Sequence, residues 1–216
     1  ARDTAYLDHV LQKRDQRHDF RNCTIEHYIP AVHYLVHKGG SAFRMGAKVE
    51  RPLPPGREKR IIDYASTYRS DFGDVYLLAT CRFYIGSTAG LNSIPYVFNI
   101  PVVSVNVIPI TRCPPPGKND LFIPKKVWSI LEKRFLTFAE MIRSPVILRW
   151  QEGAFREDDG LVPVENTPEE ILVIVQEMHA RLEGTWKTTE EDEELQRYFK
   201  ALFAVDPHSR GFPSRI

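Results

Sequence analysis

The apolar positions of this chain follow two periods, one typical of helices and one typical of strands. Helical spacing predicts helices over 28–37, from 71 onward, and over 91–98, 127–142, 167–182 and 190–203. Short apolar or β-branched runs bounded by glycine, proline or charged residues predict strands over 41–45, 60–64, 83–85 and 101–105. Strands that alternate with helices are typical of α/β proteins. We therefore expect a Rossmann-like parallel sheet with flanking helices.

Capping residues indicate where three of these helices begin or end. Thr167 as N-cap, followed by proline at the first helical position, is expected to open the helix over 167–182. Gly39 and the glycine after it are expected to close the helix over 28–37. Asp71 is predicted to begin a third helix, with Asp74 as its capping-box partner.

Prolines predict the irregular segments. The prolines and charges of 51–60 indicate a surface loop, and the prolines of 110–124 indicate another. Pro95 is expected to interrupt the short helix over 91–98.

Composition excludes several classes of function. The 216 residues carry a net charge of +1, which argues against a general nucleic-acid-binding surface because such surfaces have a strong basic excess. No apolar run approaches the roughly 20 residues that cross a bilayer. The cysteines are odd in number and widely spaced, which fits reduced thiols of a cytoplasmic protein. They are Cys23, Cys81 and Cys113. The chain starts and stops abruptly, which indicates a fragment with a strand expected directly before Ala1.

The most informative stretch is the turn Gly86-Ser87-Thr88-Ala89-Gly90, between a predicted strand and a predicted helix. Small residues in such a turn expose backbone N–H groups at the positive end of a helix dipole, and the two hydroxyls add donors. A phosphate or diphosphate suits this arrangement. A plain strand-to-helix turn needs small residues too, so both interpretations stay open. The stretch is not a P-loop, because no Gly-Lys-Ser/Thr follows.

Two arginines could add positive charge at the same edge of the sheet. Arg44 ends the strand over 41–45 and is followed by Gly46, so its planar fork could bind a phosphate in the crevice where α/β sheets bind ligands. The alternative is a partly buried ion pair, with Asp63 as its partner. Arg2 and Asp3 would lie at this edge if a strand precedes them, and the alternative is a disordered terminus.

Asp63 and Tyr64 end the strand over 60–64 and could contact a base or a ribose. The alternative is a helix-capping aspartate beside a core tyrosine. His33 and His37 have the i, i+4 spacing of zinc ligands, but no third ligand has matching spacing, so we predict a solvated face and no metal site.

The combined motifs resemble a family of bacterial glycosyltransferases encoded with surface-polysaccharide genes, over nearly the whole chain. The residues that carry the resemblance are Arg2-Asp3-x-x-Tyr6, Phe20-Arg21-Asn22, Phe43 to Gly46, Ile62 to Ala65, Ser70 to Leu77, Cys81 to Gly90, Val105-Asn106 and Pro109. A weaker similarity extends to heptosyltransferases and fucosyltransferases of the GT-B fold. The histidine that follows the turn in heptosyltransferases is absent, since Leu91 to Ser93 contains none.

The resemblance implies the C-terminal, donor-binding half of a GT-B glycosyltransferase. Residues 1–185 would be the Rossmann-like domain that binds a nucleotide sugar, and 186–216 a helix and tail that pack toward a missing N-terminal domain. That domain would supply the catalytic base. The turn from Gly86 to Gly90 would hold the donor diphosphate, with Arg2 and Arg44 neutralising it and no cofactor required.

The implied acceptor is a glycan or a lipid-linked glycan, and the implied location is the cytoplasm, with peripheral association at the inner face of the membrane as one option. Two other classes stay open. A sugar-nucleotide epimerase or hydrolase of the same fold would need an acid/base carboxylate in the cleft. A non-catalytic α/β interaction module would bind no nucleotide.

Overall fold

The computed structural model of the chain describes residues 1–12, 16–53, 56, 58–111, 117 and 119–204. The helices are α1 (Ala5–Leu11), α2 (Ile29–His37), α3 (Tyr64–Thr67), α4 (Asp71–Thr80), α5 (Ser93–Val97), α6 (Phe138–Arg143), α7 (Pro145–Leu148), α8 (Trp150–Gly153), α9 (Pro168–Leu182) and α10 (Glu190–Ala204). Short 3-10 helices lie at Gln16–Arg21, Ile25–Tyr28, Gly90–Asn92 and Glu157–Asp159.

The described strands form three small sheets. They are β1 (Ala42–Phe43), β2 (Ile61–Ile62), β3 (Tyr84–Gly86), β4 (Val102–Val107), β5 (Leu121–Pro124), β6 (Lys126–Ser129), β7 (Arg134–Phe135) and β8 (Leu161–Val164). One sheet pairs β1 with β2 in parallel, and a second has the parallel order β3-β4-β5. The third is antiparallel, with the order β7-β6-β8.

Helices cover both faces of the parallel sheet around β4, whose six residues are all buried. Val103 and Val105 belong to a core cluster with residues of α2 and α9. On the other face, the Ser104 hydroxyl lies 3.3 Å from the Tyr96 hydroxyl of α5. The predicted α/β architecture, a parallel sheet with flanking helices, is therefore confirmed. A strand buried on both faces is mostly apolar, which is why four of the six residues of β4 are valines.

A second core cluster joins the antiparallel sheet to the C-terminal helices. It includes Ile108, Ile110, Val127, Met141 and Phe203. The last of these lies on α10, so this helix packs on the chain's own core.

Most of the predicted helix boundaries are confirmed. Thr167 caps α9 by accepting from the Glu170 N–H, with Glu170 completing a capping box. Gly39 follows α2 with φ +95°, a conformation in which glycine meets no Cβ penalty. The first turn of α4 differs, because Ser70 is its N-cap and Asp74 binds Arg69 instead of completing a capping box.

Three predictions between residues 91 and 142 are wrong. Pro95 lies in the first turn of α5 and does not interrupt it, because a proline there removes no intrahelical hydrogen bond. The loop predicted over 110–124 ends in the strand β5. The helix predicted over 127–142 is a helix only at α6, since Lys126 to Ser129 alternates between half-buried and buried as a strand does.

Candidate functional site

A cleft of about 1660 Å³ opens beside the carboxyl ends of β1 and β3. Six of the ten predicted site residues line it, namely Arg2, Asp3, Arg44, Gly46, Ser87 and Gly90. The other four, Asp63, Tyr64, Gly86 and Thr88, do not. The cleft exceeds the roughly 300–1,000 Å³ of a typical small-molecule pocket, so it has room for an elongated ligand.

The N-terminal segment is held at this edge by hydrogen bonds and is not a disordered terminus. Arg2 donates from Nη1 to the His18 carbonyl oxygen at 3.0 Å and to the Asn22 side-chain oxygen. Asp3 accepts from the Ala5 N–H at 3.1 Å and from the Glu50 N–H at 3.0 Å. Asp3 therefore ties the loop after β1 to the N-terminal loop, which positions Arg2 in the cleft.

Asn22 is the point at which two cations meet. Its side-chain oxygen accepts from Arg2, and its carbonyl oxygen accepts from Nζ of Lys125 at 2.6 Å. Lys125 is only 3% exposed. Burial lowers the pKa of the Lys125 ammonium, and the nearby Glu165 charge opposes that shift. Both cations donate to neutral oxygens of the same residue, and the nearby carboxylates are Asp19 and Asp3 for Arg2 and Glu165 for Lys125.

Arg21 adds a third cation and reaches the predicted turn. Its guanidinium donates from Nη2 to the Thr88 carbonyl oxygen. Burial lowers the pKa of Arg2, and the positive charge of Arg21 lowers it further, so the two guanidinium groups lie close enough to repel. Crowded cations with lowered pKa values favour an anion between them. We call Arg2, Arg21 and Lys125 the cation cluster.

The small-residue turn lies directly against the cation cluster. Gly86 ends β3, and a side chain there would collide with the Tyr84 ring, so the close approach requires glycine. Ser87 and Thr88 are 2% and 7% exposed. Their hydroxyl oxygens, and Oδ1 of Asn92 after the turn, have no hydrogen-bond partner among the described residues. Buried polar atoms are rarely left without a partner, so these groups could form hydrogen bonds to a ligand at the turn.

Arg44 forms an ion pair with Asp63, as its alternative interpretation predicted. Its Nη1 lies 3.6 Å from an Asp63 carboxylate oxygen and donates to the Arg51 carbonyl oxygen at 2.6 Å. The other Asp63 oxygen accepts from the Leu53 N–H at 2.8 Å. Arg44 still lines the cleft, but part of its charge is neutralised by Asp63.

Tyr64 is a core residue, which was likewise its alternative interpretation. It is 5% exposed, donates from its hydroxyl to the Ser70 carbonyl oxygen at 2.9 Å, and accepts from the Ser70 N–H at 2.9 Å. A side chain at Gly73 would collide with the Tyr64 hydroxyl, which explains the glycine in α4. Asp63 precedes α3 as N-cap but makes no side-chain capping bond.

Sequence reasoning did not assign Arg21, Asn22 or Lys125 to the site. Arg21 and Asn22 were part of a motif without an assigned role. Lys125 follows β5 and meets Asn22 across a separation of 103 residues, so no local pattern could have placed it. The available signal was its position directly after a short apolar run that ends at the same edge of the sheet.

A carboxylate also lines the cleft near the cation cluster. Glu165 accepts from the Thr24 N–H at 2.8 Å and from the Thr24 hydroxyl at 3.3 Å. His27 Nδ1 lies 3.5 Å from Glu165 and 3.0 Å from the Asn166 carbonyl oxygen. These contacts hold the carboxylate in place and make it an acid/base candidate beside the cation cluster.

The remaining sequence-based questions concern metals, thiols and membranes. Within the described part of the chain, no group of three or more His, Cys, Asp or Glu residues could hold a metal ion. His37 donates from Nδ1 to the His33 carbonyl oxygen, 2.8 Å away, on an exposed helix face. Cys23 and Cys81 are free thiols, and Cys113 lies outside the described residues. None of the described helices is both long and apolar enough to cross a membrane.

Comparison of the chain with protein-family models, with curated proteins and with solved structures gives no significant match. The assignment of function therefore depends on the geometry of the cleft.

Proposed function

We propose that this chain is the donor-binding domain of a glycosyltransferase that uses a nucleotide sugar. The observation that carries the proposal is the cation cluster beside the turn from Gly86 to Gly90, at the carboxyl ends of parallel strands. Ligands of open α/β sheets bind at this edge. A diphosphate supplies negative charge for the cation cluster and acceptor oxygens for the Ser87 and Thr88 hydroxyls, which have no partner among the described residues.

In this proposal the residues of the cleft act by electrostatics. The diphosphate of the donor lies between the cation cluster and the turn from Gly86 to Gly90. Arg44 contributes the part of its positive charge that Asp63 does not neutralise. As the glycosidic bond breaks, negative charge develops on the leaving diphosphate, and fixed cations in a partly buried site stabilise it. A second domain would supply the acceptor site and the catalytic base.

Calorimetric titration of the chain with UDP and GDP tests the proposal. We expect Arg21→Ala and Arg44→Ala to weaken binding at least about tenfold each, equivalent to roughly 1.4 kcal/mol. Arg143→Ala is the matched control, because Arg143 is exposed on α6 and does not line the cleft. Affinity that is unchanged in both cleft variants would overturn the proposal. No binding of either nucleotide by the wild-type chain would favour a non-catalytic α/β interaction module instead.

Glu165 keeps a hydrolase or epimerase as a second candidate, because this class needs an acid/base carboxylate in the same cleft. Glu165→Gln would leave nucleotide binding intact and remove turnover if this class is correct. Product analysis of a nucleotide-binding preparation, with and without a glycan acceptor, distinguishes the two. Free sugar or an epimer formed without acceptor identifies the second candidate.

A further inference from the structure

Two open strand edges face the same cleft. In a parallel ladder, the N–H and C=O groups of one residue point to one side of the strand, and those of the next residue point to the other. The N–H groups of Ala42 and Arg44 donate to the carbonyl oxygens of Arg60, just before β2, and Ile62 of β2, so the backbone groups of Phe43 point away from β2. The Tyr84 N–H donates to the Pro101 carbonyl oxygen, so the backbone groups of Ile85 point away from β4. Phe43 and Ile85 both line the cleft.

Apolar side chains line the cleft between these two edges. Those from the flanking helices are Ile29, Val32 and Leu35 of α2, and Leu77 and Leu78 of α4. An inner strand of a parallel sheet needs backbone partners on both sides and apolar cover on both faces. The space between β1 and β3 offers these same surroundings.

Ala1 lies at the carboxyl end of this space. Its amino group is close enough to Arg44, Asp3 and Glu165 for their charges to affect its pKa, and burial lowers that pKa below the usual value. The chain from Ala1 to β1 passes through α1 and α2, which is the helical crossover that joins neighbouring parallel strands.

We propose that the cleft between β1 and β3 receives one extended apolar strand, joined to the nitrogen of Ala1 and parallel to both neighbours. This strand merges the two parallel sheets into one of six strands, in the order β2-β1-strand-β3-β4-β5. The chain then continues to one side of the strand through β1 and β2, and to the other through β3. The strand is therefore the topological switch point, and the crevice beside it is bounded by Arg2 and Ser87.

An N-terminal extension of the chain tests this proposal without any ligand. One variant carries about six additional residues before Ala1, with valine and isoleucine alternating. Six residues is a typical strand length. The control carries the same number of glycine and serine residues. We expect amide hydrogen exchange of Phe43 and Ile85 to slow at least about tenfold in the first variant relative to the control, because both amides gain acceptors. Leu131, in an exposed turn, should exchange at the same rate in both.

Unchanged exchange at both Phe43 and Ile85 would overturn the proposal. Light scattering decides the origin of the inserted strand. Protection in a monomer supports insertion of the chain's own strand, whereas protection that appears only in a dimer means that the slot takes a strand from a second copy and overturns the proposal as stated.

Discussion

At the scale of single residues, the cation cluster depends on one asparagine. The Asn22 side-chain oxygen accepts a hydrogen bond from Arg2, and its carbonyl oxygen accepts one from Lys125. The preceding Arg21 donates to the Thr88 carbonyl oxygen. Arg21 and Asn22 are adjacent and lie at the end of a 3-10 helix, so one short segment organises three cations. The loss of water by Lys125 and Arg2 lowers their pKa values, and a bound anion would restore them.

In the proposed function, the lowered pKa of Lys125 makes nucleotide binding depend on pH. Only the protonated ammonium attracts a diphosphate, so affinity falls as the pH rises through the pKa of Lys125 in the free protein. Because burial lowers that pKa, the fall begins at a lower pH than for an exposed lysine. We expect the affinity for UDP, measured by titration from neutral to alkaline pH, to decrease in the wild type and to change less in Lys125→Arg.

Lys126→Arg is the matched control for this prediction. Lys126 is the next residue, is half-exposed, and pairs with Glu170; neither it nor Lys125 lines the cleft itself. Its replacement should leave the pH profile of binding unchanged. A Lys125→Arg profile that superimposes on the wild type would show that Lys125 does not contribute its charge to the bound anion.

At the scale of elements, capping boxes position the helices that carry core residues. Thr137 and Glu140 form such a box at the start of α6, and Arg134 binds both oxygens of the same carboxylate, at 2.9 Å and 2.6 Å. α6 then delivers Met141 and Ile142 to the core. The cap explains why the helix begins at Phe138, eleven residues later than its apolar pattern suggested.

Glu140 links the stability of α6 to acidic pH. Its bonds to Arg134 and Thr137 lower the pKa of its carboxyl from 4.5 to about 2. A carboxyl with a depressed pKa in the folded state stabilises that state above its unfolded pKa, so this contribution is lost as the pH falls from 4.5 toward 2. We expect Glu140→Gln to lower the Tm at neutral pH and to differ little from the wild type near pH 2, by circular dichroism.

Glu194→Gln serves as the comparison, since Glu194 is exposed on α10. It should show the acid dependence of the wild type. A Tm difference between Glu140→Gln and the wild type that is the same at both ends of the pH range would contradict the linkage.

At the scale of the whole molecule, α10 joins the C-terminus to the core. Phe199, Leu202 and Phe203 pack on the cluster around β6 and α6, with the Phe199 ring 5.2 Å from the Phe138 ring. The predicted packing of 186–216 toward another domain stays a prediction. Residues 205–216 lie outside the described part of the chain, and on α10 the exposed Leu195 and Tyr198 remain free to meet such a domain.

Phe203 is the test of this attachment. It is 4% exposed, and Phe203→Ala should lower the free energy of unfolding by about 3–5 kcal/mol through lost burial and the cavity that remains. Tyr198→Ala, at a position 68% exposed, should change it by no more than about 0.5 kcal/mol. Urea denaturation followed by fluorescence measures both. Equal effects of the two substitutions would mean that α10 is not part of the cooperative unit.

The sequence by itself determined the elements whose signals are local. The β-branched run of β4, the Thr167 cap and the period of α9 all depend on neighbours within a few residues, and they were predicted correctly. The same local rules failed from 127 to 137, where a few apolar residues fit both periods. There, pairing of β6 with β8 decided the outcome, because only partner strands satisfy the backbone of a strand.

Only the tertiary structure decided which residues form the site. Asp63 was a candidate ligand contact until its proximity to Arg44 showed an ion pair, and Tyr64 was one until its burial showed a core residue. Conversely, Lys125 was not assigned to the site from the sequence and became part of the cation cluster through contact with Asn22. The sequence specifies which residues are charged. Whether a charge is neutralised depends on which distant residue the fold places beside it.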